Sequence, residues 1–429
     1  MSKYDHASLV MIPSGFKAEK LYSVLPENGN GDFTHDRNGS TATRVNKDGY
    51  VETVSADVPR LNYINGVVQD CPHLLLEPQR TNVIGYSNVT DTGTSSVTLS
   101  ANTTDVTSPA NDNTATKATT VVRSSEGKAS LNPRTTDGFN HNFTANTDYV
   151  SSVFVKKGDF DFIQLILENF SGFAATNVYF DVSTGAVGTE TNATGFIEDF
   201  GNGWYRCSIK FNLGSNADLS GKVTIRFAEA DGDNNVPRTG AESMYFWGAQ
   251  LEEGSYPTSL IQTSGSAETR SADVCNGAGT SAEFNDSEGV LFVEIQALAD
   301  DGTSRRITVT DDSGANYNNI VSLELDESTN NLKGFVSDNS GNITSVSTTN
   351  FNQNENNKIA LKYNSASTNL YVNGSEVDSA TSTNLPTGLI RLDFDSGRSD
   401  EIYNFYGKVK QVAVFNKALT DSELEALTT

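Results

Sequence analysis

The stretch "LYVNGSEV", from Leu370 to Val377, places an Asn-Gly pair between two short arms in which apolar and polar residues alternate. Asn373 and Gly374 both accept the positive φ angles of a two-residue type I′ turn, and such a turn fixes the register of the strands on either side. Alternation with a period of two buries one face of each strand. The stretch therefore predicts a tight β-hairpin inside an antiparallel sheet.

The same alternation of strand patterns and turn residues continues on both sides of this hairpin. Between residues 275 and 429 it predicts seven strands, in "GVLFVEIQAL", "NIVSLELDE", "NLKGFVSD", "KIALKYNS", "TNLYVNGSEV", "LIRLDFDS" and "GKVKQVAVFN". A helix is expected after them in "KALTDSELEALTT", where Thr420 and Glu423 form a capping box and Leu424 and Leu427 supply an apolar side. We expect that helix to pack on a β-sandwich.

A second β-rich region precedes this one and spans residues 81–265. Six strands are expected, in "YVSSVFVKKG", "FIQLILENF", "NVYFDVSTG", "GWYRCSIKFNL", "KVTIRFAEA" and "SMYFWGAQLEEG", and their spacing favours a jelly roll. Residues 1–80 are rich in Asn-Gly and Asp-Gly turn signals and predict an irregular docking segment, while residues 266–274 predict a linker. The expected fold class is all-β: two antiparallel β-sandwich domains, an irregular N-terminal segment and a short C-terminal helix.

Composition excludes several classes of function. The 429 residues contain 30 Lys and Arg against 54 Asp and Glu, a formal net charge of −24. Nucleic acids and anionic membrane surfaces require a basic footprint, and no basic cluster occurs, so neither is an expected partner. No stretch approaches the roughly 18 apolar residues of a spanning helix, which predicts no membrane insertion.

The cysteines give no sign of a disulfide scaffold or a zinc site. Cys71, Cys207 and Cys275 are far apart, odd in number and outside any CxxC pattern. The first residues lack the pattern of a cleaved signal. We therefore expect the protein to be made and folded in a reducing cytoplasm.

Two groups of motifs resemble known families. "LYVNGSEV" followed by "GKVKQVAVFNKALTDSELEAL" resembles the concanavalin A-like (laminin-G/pentraxin-type) lectin domains, over residues 275–429. "NGWYRCSI" and "FWGAQLEEGSYPTSLIQTSGS" resemble a phrase of phage tail and tail-fibre proteins with carbohydrate-binding-module-like jelly rolls, and "ASLVMIPSGFKAEKLYSVLPENGNGDF" is similar to the lead-in of the same group.

This resemblance implies a bacteriophage virion protein. It would be made in the host cytoplasm and exposed on the tail, a fibre or the capsid surface, beside other virion proteins. Its sandwiches would hold bacterial surface polysaccharide and so aid adsorption. A homo-oligomer is implied, trimeric by analogy with fibres.

Sugar binding combines an aromatic ring that stacks on a pyranose with polar groups that bond the hydroxyls. In "GWYRCSIKF" the alternation places Trp204 and Arg206 on a polar face, opposite the face that suits the core. That face predicts a glycan platform; the alternative is that Trp204 closes one end of the sandwich or packs against another subunit. Trp247, in a strand with two apolar faces, is expected in a central strand covered on both sides.

The lectin resemblance implies further candidates. Tyr371, Asn373 and either Asp393 or Asp395 lie on elements that shape the ligand side in lectin domains. The loop "DGDNNVPRTGAE" places Asp231, Asp233 and Asn235 at calcium-loop spacing. Val236 stands where an EF-hand needs glycine, so the loop is an ordinary polar hairpin or holds a structural calcium with some of these oxygens. No other cofactor is expected.

An enzymatic alternative rests on "LELDES". Glu324 and Asp326 share one face of a strand, whereas Glu327 points to the other side. A retaining glycosidase needs two carboxyl groups about 5–5.5 Å apart on the same bond. We therefore assign no catalytic residue. Three functions remain open: a glycan-binding virion component, a decoration protein that binds only virion proteins, and a polysaccharide depolymerase.

Overall fold

The computed structural model describes residues 4, 6–65, 67, 71–89, 96–314, 317–381, 384–398 and 402–429. The predicted all-β class is confirmed, because these residues form 33 strands, one 3-10 turn (Pro13–Gly15) and one α-helix. No helix in these ranges is long and apolar enough to cross a membrane.

Three sets of strands follow one another along the chain. The N-terminal strands are β1 (Leu9–Met11), β2 (Phe16–Lys17), β3 (Lys20–Leu21), β4 (Thr34–Asp36), β5 (Ala42–Val45), β6 (Val51–Val54), β7 (Leu61–Asn62), β8 (His73–Leu76) and β9 (Arg80–Asn82). The middle strands are β10 (Val97–Ser100), β11 (Thr116–Thr120), β12 (Ser130–Leu131), β13 (His141–Asn142), β14 (Asp148–Lys156), β15 (Phe162–Glu168), β16 (Asn177–Asp181), β17 (Ala186–Thr191), β18 (Thr194–Asp199), β19 (Trp204–Asn212), β20 (Ser220–Ala228) and β21 (Ser243–Glu253). The C-terminal strands are β22 (Glu268–Arg270), β23 (Val274–Asn276), β24 (Gly289–Ala297), β25 (Arg305–Thr310), β26 (Ile320–Leu325), β27 (Leu332–Ser337), β28 (Ile343–Thr348), β29 (Asn357–Tyr363), β30 (Thr368–Val372), β31 (Ser375–Ala380), β32 (Arg391–Asp393) and β33 (Gly407–Phe415).

The middle strands build a sandwich of two antiparallel sheets. One sheet has the order β10-β11-β21-β14-β19-β18, and the other has the order β12-β20-β15-β16-β17 with β13 also paired to β20. Alternate residues of both sheets point into a shared core that contains Cys207, Ile209, Ile163 and Phe227. The apolar half of the strand pattern therefore fills the space between the sheets, as period-two burial requires.

The C-terminal strands build a second sandwich. Its larger sheet has the order β31-β30-β29-β24-β33-β8-β7, with β1 also paired to β33, and its smaller sheet has the order β28-β27-β26-β25-β32. The hairpin predicted from "LYVNGSEV" is confirmed: Asn373 and Gly374 have φ angles of 48° and 87° between β30 and β31. The predicted helix is α1 (Asp421–Thr428), with the capping box of Thr420 and Glu423 in place.

The N-terminal segment, which was expected to be irregular, contributes short strands to the rest of the fold, and its docking role stays a prediction. Strands β1, β7 and β8 complete the larger C-terminal sheet, and the β5–β6 hairpin covers the outer face of the six-stranded middle sheet. In that cover Val45 and Val51 pack against Trp204 and Trp247. The physical reason is burial: outward apolar side chains on both sandwiches need a partner, and the short N-terminal strands supply it.

Residues 266–274, which were expected to form a linker, contain a short strand and buried charged side chains. Strand β22 pairs with β9, and the two ionic residues Arg270 and Asp273 are buried. They belong to a set of charges, here called the arginine cluster and defined by Arg37, Arg60, Arg270, Glu77 and Asp273. The polar residues of this segment would favour solvent if the segment were isolated. In the fold, ion pairs with other parts of the chain compensate the charges of its buried residues. The boundaries at 80 and 265 stay predictions.

Candidate functional site

Trp204 does not form the predicted stacking platform. It lies on the side of β19 that faces away from the core, as expected, but it is only 1% exposed because the β5–β6 hairpin covers it. Its ring Nε1 donates to the Thr107 carbonyl at 2.8 Å. Trp247 is also 1% exposed, which confirms the prediction of a strand covered on both sides.

The residues chosen by lectin resemblance do not form one site. Tyr371 is fully buried, and its hydroxyl lies 3.0 and 2.8 Å from carboxylate oxygens of Glu376 and Asp421, which compete for its one proton; burial and these two carboxylates raise its pKa well above the usual range. Asp393 is fully buried too, and burial raises its pKa to about 6 despite its bond from Arg391. Asn373 is exposed, but its side-chain oxygen accepts from the Lys358 backbone N–H at 3.0 Å and so joins the turn to β29.

The predicted calcium ligands lie in an exposed turn between β20 and β21. Asp231 accepts from the backbone and hydroxyl of Thr189 at 2.8 and 3.0 Å, and Asp233 accepts from the Asn235 amide at 2.9 Å. Across the described ranges no group of three or more Asp, Glu, His and Cys side chains has a metal-binding arrangement. Hydrogen bonds to Thr189 of β17 and to Asn235 engage Asp231 and Asp233 in this structure, and the calcium stays a prediction.

The carboxylates of "LELDES" are held by cations. Glu324 pairs with Arg306 at 2.9 Å, and Asp326 pairs with Lys333. Burial alone would raise the pKa of Asp326, but hydrogen bonds from Lys333, Ser328 and Asn331 hold it at about 2. Asp326 is therefore ionised and engaged at neutral pH, so it offers neither a general acid nor a free nucleophile.

A cleft of about 880 Å³ lies where the N-terminal strands meet both sandwiches. Its walls come from β18 and β19, from the β5–β6 hairpin with residues 62–65, and from residues 296–301 with Lys408 of β33. This volume falls within the roughly 300–1,000 Å³ of typical ligand sites. We call it the junction cleft.

The wall of the junction cleft that the middle sandwich supplies carries an aromatic ring on a polar face. Strand β18 is the edge of its sheet, and Phe196 and Glu198 lie opposite Ser208 and Arg206 of β19. Phe196 is half-buried and Glu198 is exposed. The arrangement predicted for Trp204 is therefore present, but on the neighbouring strand.

Another wall of the junction cleft is formed by residues 62–65, which hydrogen bonds to the β5–β6 hairpin hold in place. The Asn62 side chain accepts from the Val45 amide at 2.8 Å, and the Tyr63 amide donates to the Val45 carbonyl at 3.0 Å. Tyr63 is half-buried, and the next residue, Ile64, is 52% exposed. The cleft thus has aromatic and apolar surface on two walls that are far apart in sequence.

The floor of the junction cleft is fixed by buried ions. Glu77 lines it and bonds Arg60 at 2.6 Å, Arg270 at 2.9 Å and the Ser259 amide at 2.8 Å. Burial alone would raise the pKa of Glu77, but Arg270 and Arg60 lower it to about 2. Because these bonds join the residue before β7, the residue after β8, β22 and the loop after β21, the cleft is preformed rather than assembled on binding.

A family model described as the concanavalin A-like lectin/glucanases superfamily matches residues 292–425. The C-terminal sandwich is a concanavalin A-like domain. The match ends within this domain and covers less than half of the chain, so it describes neither the middle sandwich nor the N-terminal strands. Its description includes both lectins and glucanases, and the fold alone therefore leaves binding and hydrolysis equally open.

Solved structures give only distant likenesses. The CBM40 of the Ruminococcus gnavus IT-sialidase is 15% identical with a TM-score of 0.30, over 36% of this chain and 94% of that one. A leech intramolecular trans-sialidase is 16% identical with a TM-score of 0.30, over 36% and 26% of the two chains. Domains LG4-5 of the mouse laminin alpha1 chain are 6% identical with a TM-score of 0.24, over 65% and 87%. These scores are too low to carry a function across, and no curated protein matches the chain.

Proposed function

We propose that this protein binds glycans and that the junction cleft is its binding site. The observation that carries the proposal is Phe196, a half-buried ring beside exposed Glu198 inside a preformed cleft of about 880 Å³. An aromatic face stacks on the C–H groups of a sugar ring, and neighbouring polar groups bond its hydroxyls. The lectin-like fold of residues 292–425, which contributes one wall, supports the same class of function.

Two aromatic side chains that line the cleft define where a sugar chain would stack. Phe196 supplies one stacking surface and Tyr63 supplies a second one. Pairs of aromatic side chains contribute roughly 0.5–1.5 kcal/mol beyond area burial, and we expect a stacked sugar ring to contribute a similar amount. Binding at a single site is therefore expected to be weak, and function requires many copies acting together.

The proposal extends to a place in a bacteriophage particle. The sequence resemblance of the N-terminal and middle segments to phage tail and tail-fibre proteins supports a location on the tail, a fibre or the capsid surface. There the protein would contact other virion proteins, form a homo-oligomer such as a trimer, and hold bacterial surface polysaccharide during adsorption. Immunogold electron microscopy of purified particles with an antibody to this chain tests the location.

A glycan array followed by isothermal titration tests the binding function. We expect hits whose affinity falls about fivefold, or roughly 1 kcal/mol, in Phe196→Ala. Tyr22→Ala is the matched control, since Tyr22 is 39% exposed and does not line the cleft. An array without hits, together with tight binding to purified capsids or tails, would instead favour the decoration role. Reducing sugar released from a hit would favour the depolymerase.

A further inference from the structure

Resting on the proposed function, we propose that the junction cleft takes an uncharged, hydroxyl-rich polysaccharide and that Glu198 and Asp300 accept hydrogen bonds from its hydroxyls. Acidic glycans, which carry carboxylates or sulfates, are the class that the cleft rejects. The inference follows from which charged groups of the cleft are already engaged and which remain for a ligand.

Two cations that line the cleft are neutralised by neighbouring carboxylates. Lys210 pairs with Asp148 at 2.9 Å, and Arg44 pairs with Glu52 at 2.8 Å. An acidic sugar would have to displace a carboxylate from each of them, and exchanging one partly exposed pair for another gains little free energy. These side chains are therefore poor anchors for an anionic ligand.

Of the other nitrogen groups that line the cleft, Arg206 is engaged and His73 is uncharged, whereas Lys408 has no partner among the described residues. Arg206 is 3% exposed, and its guanidinium donates to the Thr258 carbonyl at 2.7 Å and the Ser152 hydroxyl at 2.9 Å. His73 is buried, and burial together with nearby Lys408 lowers its pKa to about 3, so it is neutral at physiological pH. Lys408 is the one lysine or arginine lining the cleft for which the described residues provide no hydrogen-bond or ion-pair partner.

The acceptors of the cleft, in contrast, are available. Glu198 is exposed and has no hydrogen-bond or ion-pair partner within the described part of the chain. Asp300 is half-buried, and the structure gives its carboxylate one bond, from the Asn330 amide at 3.0 Å. An ionised carboxylate only accepts hydrogen bonds, so these groups match hydroxyl donors and repel a ligand carboxylate.

The charge of the whole chain acts in the same direction. A net charge of −24 repels a polyanion before it reaches the cleft, although salt screens this field over about 8 Å at physiological ionic strength. A neutral polysaccharide is unaffected by the field. The strongly acidic composition and the free acceptors of the cleft thus select for the same ligand class.

The test uses the full-length protein and matched pairs of oligosaccharides, one neutral and one with the corresponding uronic acids. Isothermal titration at low and at high salt is expected to give binding of the neutral member with little salt dependence. The acidic member is expected to bind at least about tenfold more weakly, which corresponds to roughly 1.4 kcal/mol, with the deficit shrinking as salt rises.

Two charge variants locate the effect. Glu198→Gln is expected to weaken the neutral ligand about threefold to tenfold, because a charge-assisted bond becomes a neutral one, and to narrow the gap to the acidic ligand. Glu126→Gln changes the net charge equally at an exposed residue outside the cleft and is expected to change neither affinity. Tighter binding of the acidic member overturns the inference while the proposed function stands. Binding of neither member overturns both.

Discussion

Arg60 and Asp273 form a fully buried ion pair that joins the N-terminal strands to the segment between the two sandwiches. Arg60 also bonds Glu77, which faces the junction cleft, and Asp273 also bonds Arg37 at 3.2 Å. Removing one member of a buried pair leaves the other charge uncompensated in a medium of low dielectric constant. The arginine cluster is therefore expected to hold the three parts of the chain as one unit.

Asp273→Asn is expected to lower the free energy of unfolding by about 3–5 kcal/mol, because it leaves Arg60 and Arg37 without their shared counter-ion. Urea unfolding followed by tryptophan fluorescence measures this loss. Asp105→Asn is the control, since it breaks only the exposed pair with Lys117 at 2.8 Å and should leave the midpoint unchanged. A loss below about 1 kcal/mol in Asp273→Asn would show that the cluster is not what joins the parts.

Acid is expected to release the same cluster. The folded-state pKa of Glu77 is lowered from 4.5 to about 2, and that of Asp273 is lowered well below its ordinary value of 3.8. A depressed carboxyl pKa stabilises the fold above the unfolded-state value, and this contribution is lost as the pH falls through the folded-state value. The free energy of unfolding should therefore decline steeply between pH 4.5 and 2.

His73 and Asp393 set the behaviour at higher pH. The folded-state pKa of His73 is lowered from 6.5 to about 3, so the buried ring stays neutral. Its contribution to the free energy of unfolding is therefore lost progressively below pH 6.5. The folded-state pKa of Asp393 is raised from 3.8 to about 6. Burial of its charged form therefore lowers the free energy of unfolding above pH 6, and this loss is relieved as the pH falls through 6. On acidification below pH 6, His73 therefore lowers the free energy of unfolding while Asp393 raises it. His73→Gln should leave stability rising on acidification from pH 6.5 to 4.5 in urea titrations, and a continued fall would contradict this assignment.

Gly374 tests the hairpin separately from the cleft. Its φ angle is 87°, and a Cβ atom there would lie 2.9 Å from the Thr429 hydroxyl beside helix α1. Gly374→Ala is expected to cost about 1 kcal/mol of stability from the strained backbone. Glycan affinity should stay unchanged, because this turn does not line the junction cleft. A loss of affinity in the folded variant would relocate binding to the hairpin side of the lectin-like domain.

Local features of the sequence predicted local structure well. The Asn373-Gly374 turn, the Thr420 cap and the alternation in β19 each depend on residues within a few positions of one another, and each has its expected form. The sequence also placed Trp204 on the correct side of its strand. What covers that side is a hairpin about 150 positions earlier, and a pairing over such a distance leaves no periodic signal in either segment.

The candidate site was beyond prediction for a related reason. Phe196 lies in "TGFIED", a short edge strand with few apolar residues, so it did not stand out as a strand or as a platform. One signal was available: an aromatic residue with polar neighbours two positions away on each side, Thr194 and Glu198. For Arg270 and Asp273 the sequence predicted solvent exposure, because both side chains are charged. They are buried instead, because their ion-pair partners lie among the N-terminal strands.

A crystal structure of the protein with an oligosaccharide chosen from a glycan array tests the central claim most directly. The account predicts sugar density in the junction cleft, with one ring stacked on Phe196 and a hydroxyl within hydrogen-bond distance of Glu198. Sugar bound at the Asn373 turn or on another outer face of either sandwich, with the junction cleft empty, would contradict it.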